Sequence, residues 1–402
     1  MAEGEHRRVT ARGRPPGRGA LWVLYADTLT MAVGFYMLVP LLAYHFLQDL
    51  GLTVAVVGAL AALRSAAQNG VMPLSGWVAD RIGYRRAIAG GVLVRAAGFA
   101  VLGSGVSVPW LVLGSVLAGL GGALFHPASY AAYTALAAGH DSVRVYSTRE
   151  LFSNLGFVVG PMVGGLLAGV DFRWVAFGSA ALFVGAFVVT VVGLPGDLAP
   201  PGVERARLGA ALRDRTFVRF CARAAMLWFL VSQLYLVVPV RAAAVLPGSV
   251  GVGLVYTAAA VFMVVVMLPL TGFASRHLEP HRILALGGLA LGAGVATMGL
   301  WDSVAGLLVG VLVFTVGQML SQPVMNAVVS DLADGGAVAS YFGALGLAQA
   351  LGGIVGSTVG GLLYTAAASP GPAGTWPWVV FLVAGIVVAV AFLRFGPTAR
   401  AA

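Results

Sequence analysis

An all-α integral membrane protein of twelve transmembrane helices, arranged as two six-helix halves, is the fold class this sequence predicts. Three observations carry that expectation. The 402 residues are 59% hydrophobic and 10% charged, with a mean hydropathy of +0.92, a composition that a water-facing surface cannot accommodate. The apolar residues fall in roughly a dozen unbroken runs of about 20, the length that crosses a bilayer as a helix. Unbroken runs also argue against a β-barrel, whose strands would alternate. Finally, the chain repeats itself: Gly76 and Gly272, Arg86 and Arg282, Pro127 and Pro323, Gly156 and Gly352, Gly160 and Gly356, and Gly165 and Gly361 each stand 196 positions apart.

Taken in order, residues 1–19 hold Arg7, Arg8, Arg12, Arg14, Arg18 and two prolines, and read as a disordered cytoplasmic tail. The apolar run after them is too long for a signal peptide and lacks a small-residue cleavage site, so it reads as a retained first span. Spans are expected at about 21–46, 54–78, 87–105, 110–136, 146–169 and 174–194, forming a first bundle over 20–194. Residues 195–215, rich in proline and charge, read as a cytoplasmic linker with a short amphipathic helix on the membrane. A second bundle over 216–394 has spans at about 217–240, 250–273, 283–300, 304–328, 338–366 and 376–393, with 395–402 a short cytoplasmic tail. Spans 1 and 7 also look alike, Tyr36 to Pro40 against Tyr235 to Pro239, at an offset of 199.

The net charge is +9 and all 24 basic residues are arginine. Their placement argues against a nucleic-acid partner. Twelve spans put Arg81, Arg85, Arg86, Arg144, Arg205, Arg207, Arg213, Arg215, Arg276 and Arg282 on the side of the termini and only Arg173 and Arg241 opposite. That is the bias of a protein in the cytoplasmic membrane with both termini inside. The single cysteine, Cys221, forms no internal disulfide. No metal-ligand cluster, phosphate loop or nucleophile triad is present, so neither an enzyme nor a cofactor or metal is expected.

Only Asp27 and Glu150 place carboxylates clearly inside spans. A bare charge there costs at least ~2.5 to 3.5 kcal/mol, so an acid kept in that position faces water, has a partner, or spends time protonated. All three suit a proton carrier. Asp27 lies about six residues into its span and Glu150 about five, so at about 1.5 Å per residue both sit about 10 Å below the cytoplasmic boundary, placed to share one aqueous cavity. The plain alternative is a locked ion pair with Arg149, Arg64 or Arg95. Arg149 projects about 100° away from Glu150 on a helix and is expected to face a different neighbour. Arg64, with Gln68 one turn on, is a coupling cation or a structural anchor. His126, ahead of Pro127, is a relay or an interhelix hydrogen-bond donor.

Polar and aromatic residues of spans 1, 4, 7 and 10 supply the candidate substrate contacts: Tyr36, Tyr130, Trp228, Gln233, Tyr235, Gln318, Gln322 and Asn326. With one or two acids beside it, such a pocket suits a lipophilic molecule, cationic ones included.

Between spans 2 and 3 the sequence sets Gly76, Asp80, Arg81, Gly83, Arg85 and Arg86, a solvated turn in which Gly83 reverses the backbone. The pattern resembles motif A of the major facilitator superfamily. Gly156, Gly160, Pro161, Gly164 and Gly165 resemble motif C, which in that superfamily marks antiporters that export. Leu63-Arg64, the stretch from Arg95 to Ala100, and that from Leu117 to Pro127 narrow the resemblance to the drug:proton antiporter group and to MdtH-type multidrug resistance exporters.

The resemblance implies the facilitator fold, with substrate held near the midplane between halves that rock by alternating access. It also implies that Asp80 meets a helix N-terminus of the other half and holds the cytoplasmic face shut. In the second copy Asp80, Arg81 and Gly83 have become Arg276, His277 and Glu279. Motif C implies close helix approach at its glycines and a kink at Pro161; plain tight packing would use the same residues, and Gly352, Gly356, Gly360 and Gly361 should repeat it. One departure stands out, because the arginine that such exporters carry in span 4 is replaced by Ser115, leaving Arg64 or Arg149 to substitute. The functional expectation is proton-coupled efflux of small amphipathic compounds by a monomer in the lipid bilayer. A nutrient importer or uniporter is one alternative, and a non-transporting sensor or scaffold the other.

Overall fold

The computed structural model describes residues 18–105, 107–137, 140–168, 171–196, 198, 209–235, 237–238, 241, 245, 249–333, 336–367 and 374–394. Among these residues the chain forms fourteen α-helices and no strand. The first half comprises α1 (Arg18–Tyr44), α2 (Val54–Asn69), α3 (Met72–Ile82), α4 (Tyr84–Ser104), α5 (Val108–Leu136), α6 (Ser142–Ala168) and α7 (Phe172–Gly193). The short α8 (Ala210–Arg213) then leads to α9 (Arg215–Val231), α10 (Ser249–His277), α11 (Pro280–Leu300), α12 (Val304–Leu332), α13 (Val338–Ala367) and α14 (Trp376–Leu393).

Among the described residues eleven stretches are single helices long and apolar enough to cross a membrane. The twelfth, expected as one helix over 54–78, is broken into α2 and α3. Pro73 lies in the first turn of α3, where it has no N–H to return to the preceding turn, and the helix restarts after Val71. Most boundaries fall within four residues of expectation. Polar caps explain several starts: Thr53 accepts from Val56 N, Asp171 from Arg173 N at 2.8 Å, Asp214 from Thr216 N at 2.9 Å, and Ser303 from Gly306 N at 3.0 Å.

The expected tails at 1–19 and 395–402 lie outside the described residues, except that Arg18 and Gly19 already belong to α1. Most of the expected linker is likewise outside them. Its described end is α8 and Asp214, whose carboxylate accepts from Tyr341 of α13 at 3.2 Å.

Lipid tails are as apolar as the helix faces, so association rests on close packing and hydrogen bonds. Glycines supply it, and the two halves do so alike. On α4 and α5, a Cβ at Gly91 would stand 2.9 Å from Gly121 O, and one at Gly98 would stand 3.0 Å from Gly114 O. On α11 and α12, the same crossing is made by Gly287 against Gly317 O at 3.2 Å and Gly294 against Gly310 O at 2.7 Å. All four pairs keep the offset of 196, extending the repeat beyond the matches seen in sequence. Spans 1 and 7 obey it too: Gly160 approaches Val33 O as Gly356 approaches Phe229 O, and Gly164 approaches Met37 as Gly360 approaches Gln233. The Tyr-to-Pro likeness at offset 199 is therefore one helical turn out of structural register.

Candidate functional site

At one end of the bundle α3 lies against α13, whereas α2, the other half of the same span, makes only sparse contact with it. The crossing is close because Gly76 has no side chain: a Cβ there would collide with Ala339 O and come 3.0 Å from Ser340 Cα. Gly343 answers from α13, where a Cβ would meet the carbonyl of Met72. Asp80, 2% exposed, uses the proximity. Its Oδ1 accepts from Ala339 N at 3.0 Å and Tyr84 OH at 3.1 Å, and its Oδ2 from Ser340 N at 2.8 Å and Ser340 Oγ at 2.6 Å.

The other turn residues serve the same corner. Gly83 ends α3 at φ +89°, a conformation that only glycine adopts freely. Arg81 stacks over Trp77 at 4.0 Å, Arg85 donates to Val191 O, and Arg86 is exposed. The stack of Tyr130 on Phe342, 4.9 Å between centroids, adds a second contact between the halves.

The motif C glycines face α1 inside the first half rather than the seam between halves. Gly156 approaches Ala32, Gly160 approaches Tyr36 and Val33, and Gly164 approaches Met37 O. Gly165 meets nothing within 4 Å, and neither does Gly361. Pro161 lies inside α6.

The two embedded acids have different partners. Asp27 is 1% exposed; its Oδ2 accepts from Thr190 of α7 at 2.6 Å, and its Oδ1 has no partner. No cation pairs with it among the described residues. Glu150 is instead paired with its neighbour Arg149 at 2.5 Å, against the expectation that the two face apart. The backbone does project them apart, but Arg149 is long enough to fold back while its guanidinium lies over Tyr130 at 4.4 Å. Because α6 starts at Ser142, Glu150 lies eight residues beyond the helix start rather than about five.

Arg64 and Arg95 converge on one ring, Phe35 of α1, at 5.3 and 4.7 Å. Arg95, 3% exposed, donates to Gln68 at 3.4 Å, while its Nε has no partner. Tyr36 is within electrostatic reach of both guanidiniums, and His126 of Arg95 and Arg149. His126 itself has no hydrogen bond among the described residues. Ser115, in place of the arginine of span 4, is buried, and the guanidinium against the middle of α5 is that of Arg95, delivered from α4.

The remaining candidates divide. Tyr36 meets Phe157 edge-on at 4.9 Å, and Phe157 meets Tyr256 of the second half at 6.3 Å, so this aromatic chain spans the seam. Trp228 Nε1 and Asn326 Nδ2 are buried donors without partners, and Gln318 and Gln322 are half-buried. Gln233 is 0% exposed and donates to Phe229 O at 2.8 Å and Gly356 O at 2.9 Å, so it joins helices and offers no surface to a ligand. The side chain of Tyr235 lies outside the described residues. Sequence reasoning missed Phe35, Thr190, Ser340 and Phe342; nothing in an apolar span marks a ring or hydroxyl as the partner of a distant charge.

Fold and site together define a multi-pass helical membrane protein with two repeated halves. The Major Facilitator Superfamily model matches residues 28–357 and again 240–401. The chain belongs to that superfamily. It is 31% identical over 382 residues to "Multidrug resistance protein MdtH" of Aeromonas hydrophila, covering 94% of each chain. To the protein of the same name in Klebsiella pneumoniae it is 29% identical over 383 residues, again covering 94% of each. Among solved structures, human organic anion transporter MFSD10 superposes with a TM-score of 0.72 at 18% identity, covering 95% of this chain and 99% of that one, a likeness of fold.

Proposed function

We propose that this protein exports small amphipathic compounds, in the manner of a multidrug transporter, across the cytoplasmic membrane in exchange for protons. The halves rock around a central site, and the end bearing Asp80 faces the cytoplasm, where Arg81, Arg86, Arg144 and Arg282 are exposed. The relatives' printed name supports multidrug resistance, and motif C supports export. The observation that carries proton coupling is Asp27: a carboxyl buried in the membrane with one hydroxyl partner, one unpartnered oxygen and no cation. Such a group costs least if it exchanges a proton as the halves move. Glu150, compensated by Arg149, is the second exchangeable acid.

The test is transport in proteoliposomes under an imposed pH gradient. Asp27→Asn should reach the membrane folded, bind the compound, and lose gradient-driven accumulation. Full drive in Asp27→Asn overturns the role of Asp27, and counterflow that runs only with the gradient reversed identifies an importer.

A further inference from the structure

We propose that Arg64 and Arg95 form the recognition site for an anionic group, a carboxylate or its equivalent, on an otherwise lipophilic transported molecule. This rests on the transport reading above and names its substrate class. The argument begins with charge. Inside the spans of the first half, Glu150 is neutralised by Arg149 and Asp27 is tied to Thr190, so neither carboxylate faces Arg64 or Arg95. Among the described residues neither of these guanidiniums has an acidic partner, and the Nε of Arg95 has no hydrogen-bond partner. Arg95 lies eleven residues into the 21-residue α4, about 16 Å along it and so near the bilayer centre, where an uncompensated cation is most costly.

The pair is also housed. Across α5, a Cβ at Gly122 would fall 2.5 Å from Gln68 Oε1 and 3.3 Å from Arg95 Nη2, and one at Gly119 would fall 2.5 Å from Arg64 O. Gly122 leaves the room that the Gln68 and Arg95 side chains occupy, and Gly119 lets the backbone of Arg64 approach. Both guanidiniums lie over the Phe35 ring, and its neighbour Tyr36 leads through Phe157 to Tyr256 of the second half.

The repeat separates function from architecture. At the offset of 196, Arg64 corresponds to Ala260, Arg95 to Leu291, Arg149 to Leu345 and Glu150 to Gly346. The second half builds the same α11–α12 crossing without any of these charges, so the crossing does not require an arginine. On that side Gln318, Gln322 and Asn326 stand where the first half has Gly122, His126 and Tyr130, a neutral polar wall opposite a cationic one. Two planar guanidiniums gathered over one aromatic ring fit a carboxylate attached to an aromatic body, through charge-assisted hydrogen bonds and ring stacking.

The experiment uses the purified full chain in nanodiscs with three matched probes: pyrenebutanoate, its methyl ester, and pyrenebutylammonium. The substitutions are Arg64→Ala and Arg95→Leu, the residues the second half already uses, singly and together. Wild type should bind pyrenebutanoate at least ~10-fold more tightly than the ester, as expected for a gained charge-assisted hydrogen bond. Each variant should move that ratio toward one while ester binding and the melting temperature are held. Equal binding of acid and ester by wild type, preference for the ammonium probe, or a ratio that survives in the double variant overturns the site. Gradient-driven transport of ester and ammonium without acid preference sinks this inference and leaves the transport reading standing. Acid-selective binding with no probe transported does the reverse.

Discussion

Asp80 caps a helix that cannot cap itself. Its carboxylate takes the backbone N–H groups of Ala339 and Ser340, 259 and 260 positions away, at the start of α13. In the first half the equivalent helix, α6, carries its own cap: Asp141 accepts from Val143 N at 3.0 Å and Arg144 N at 3.3 Å. The residue 196 positions after Asp141 is Ala337, which has no capping side chain, and the residue 196 after Asp80 is Arg276. Both acids belong to the first half and the second half has neither, so α6 is capped from within its own half and α13 only across the seam. Parting α6 from α10 leaves a capped helix, whereas parting α13 from α3 strips one.

Asp80→Ala should therefore loosen this end of the bundle. Removing a side-chain cap costs ~0.5 to 2 kcal/mol, and ~1.4 kcal/mol is tenfold in an equilibrium. The closed arrangement should lose between about twofold and thirtyfold in population. Spin labels at Arg86 and Arg282, exposed equivalents at the Asp80 end of the two halves, read the change. A longer-distance population should appear in Asp80→Ala; an unchanged distribution would show that the cap does not hold the halves together.

Within motif C, adjacent glycines should behave oppositely. A Cβ at Gly164 collides with the backbone carbonyl of Met37, whereas at Gly165 it enters open space. Gly164→Ala should lower the melting temperature by several degrees, the scale of overpacking at ~1 to 3 kcal/mol. Gly165→Ala should leave it unmoved or slightly raised. Gly360→Ala and Gly361→Ala should repeat the contrast, since Gly360 abuts Gln233 and Gly361 meets nothing. Equal melting temperatures within either pair would refute the packing account.

How much of this was legible in the sequence follows from what each residue's role depends on. Spans, repeat and turn depend on local properties: apolar length, arginine placement, and the left-handed backbone at Gly83. They could be read directly. The break after Asn69 was missed because Pro73 sits in a run whose hydropathy continues through it. Embedded acids and arginines announced themselves by their cost, but their partners did not. Thr190 and Phe35 are ordinary in composition; Thr190 becomes a partner only because α1 packs on α7, and Phe35 only because Arg95 and Arg64 reach it from α4 and α2. A locked ion pair with Arg149 stood among the alternatives, and backbone projection argued against it for Glu150, an argument that holds for short side chains and fails for one that spans several bonds beyond Cβ.

That pair yields a prediction in which two losses together do less harm than one. Arg149 and Glu150 are largely buried, with side-chain exposures of 9% and 13%. Removing one partner strands the other charge in the membrane, at roughly 3 to 5 kcal/mol for a buried pair. The second half occupies the same positions with Leu345 and Gly346 and packs without them. Arg149→Leu and Glu150→Gln should each lower the melting temperature, whereas Arg149→Leu with Glu150→Gln should recover most of the loss, giving a coupling well outside the additive range for independent sites. Transport should remain impaired in the double variant, because the proposed exchangeable acid is gone even though the charge balance is restored. Additive melting shifts would mean that the pair is not formed in the membrane. Restored gradient-driven transport in the stable double variant would mean that Glu150 serves only to neutralise Arg149.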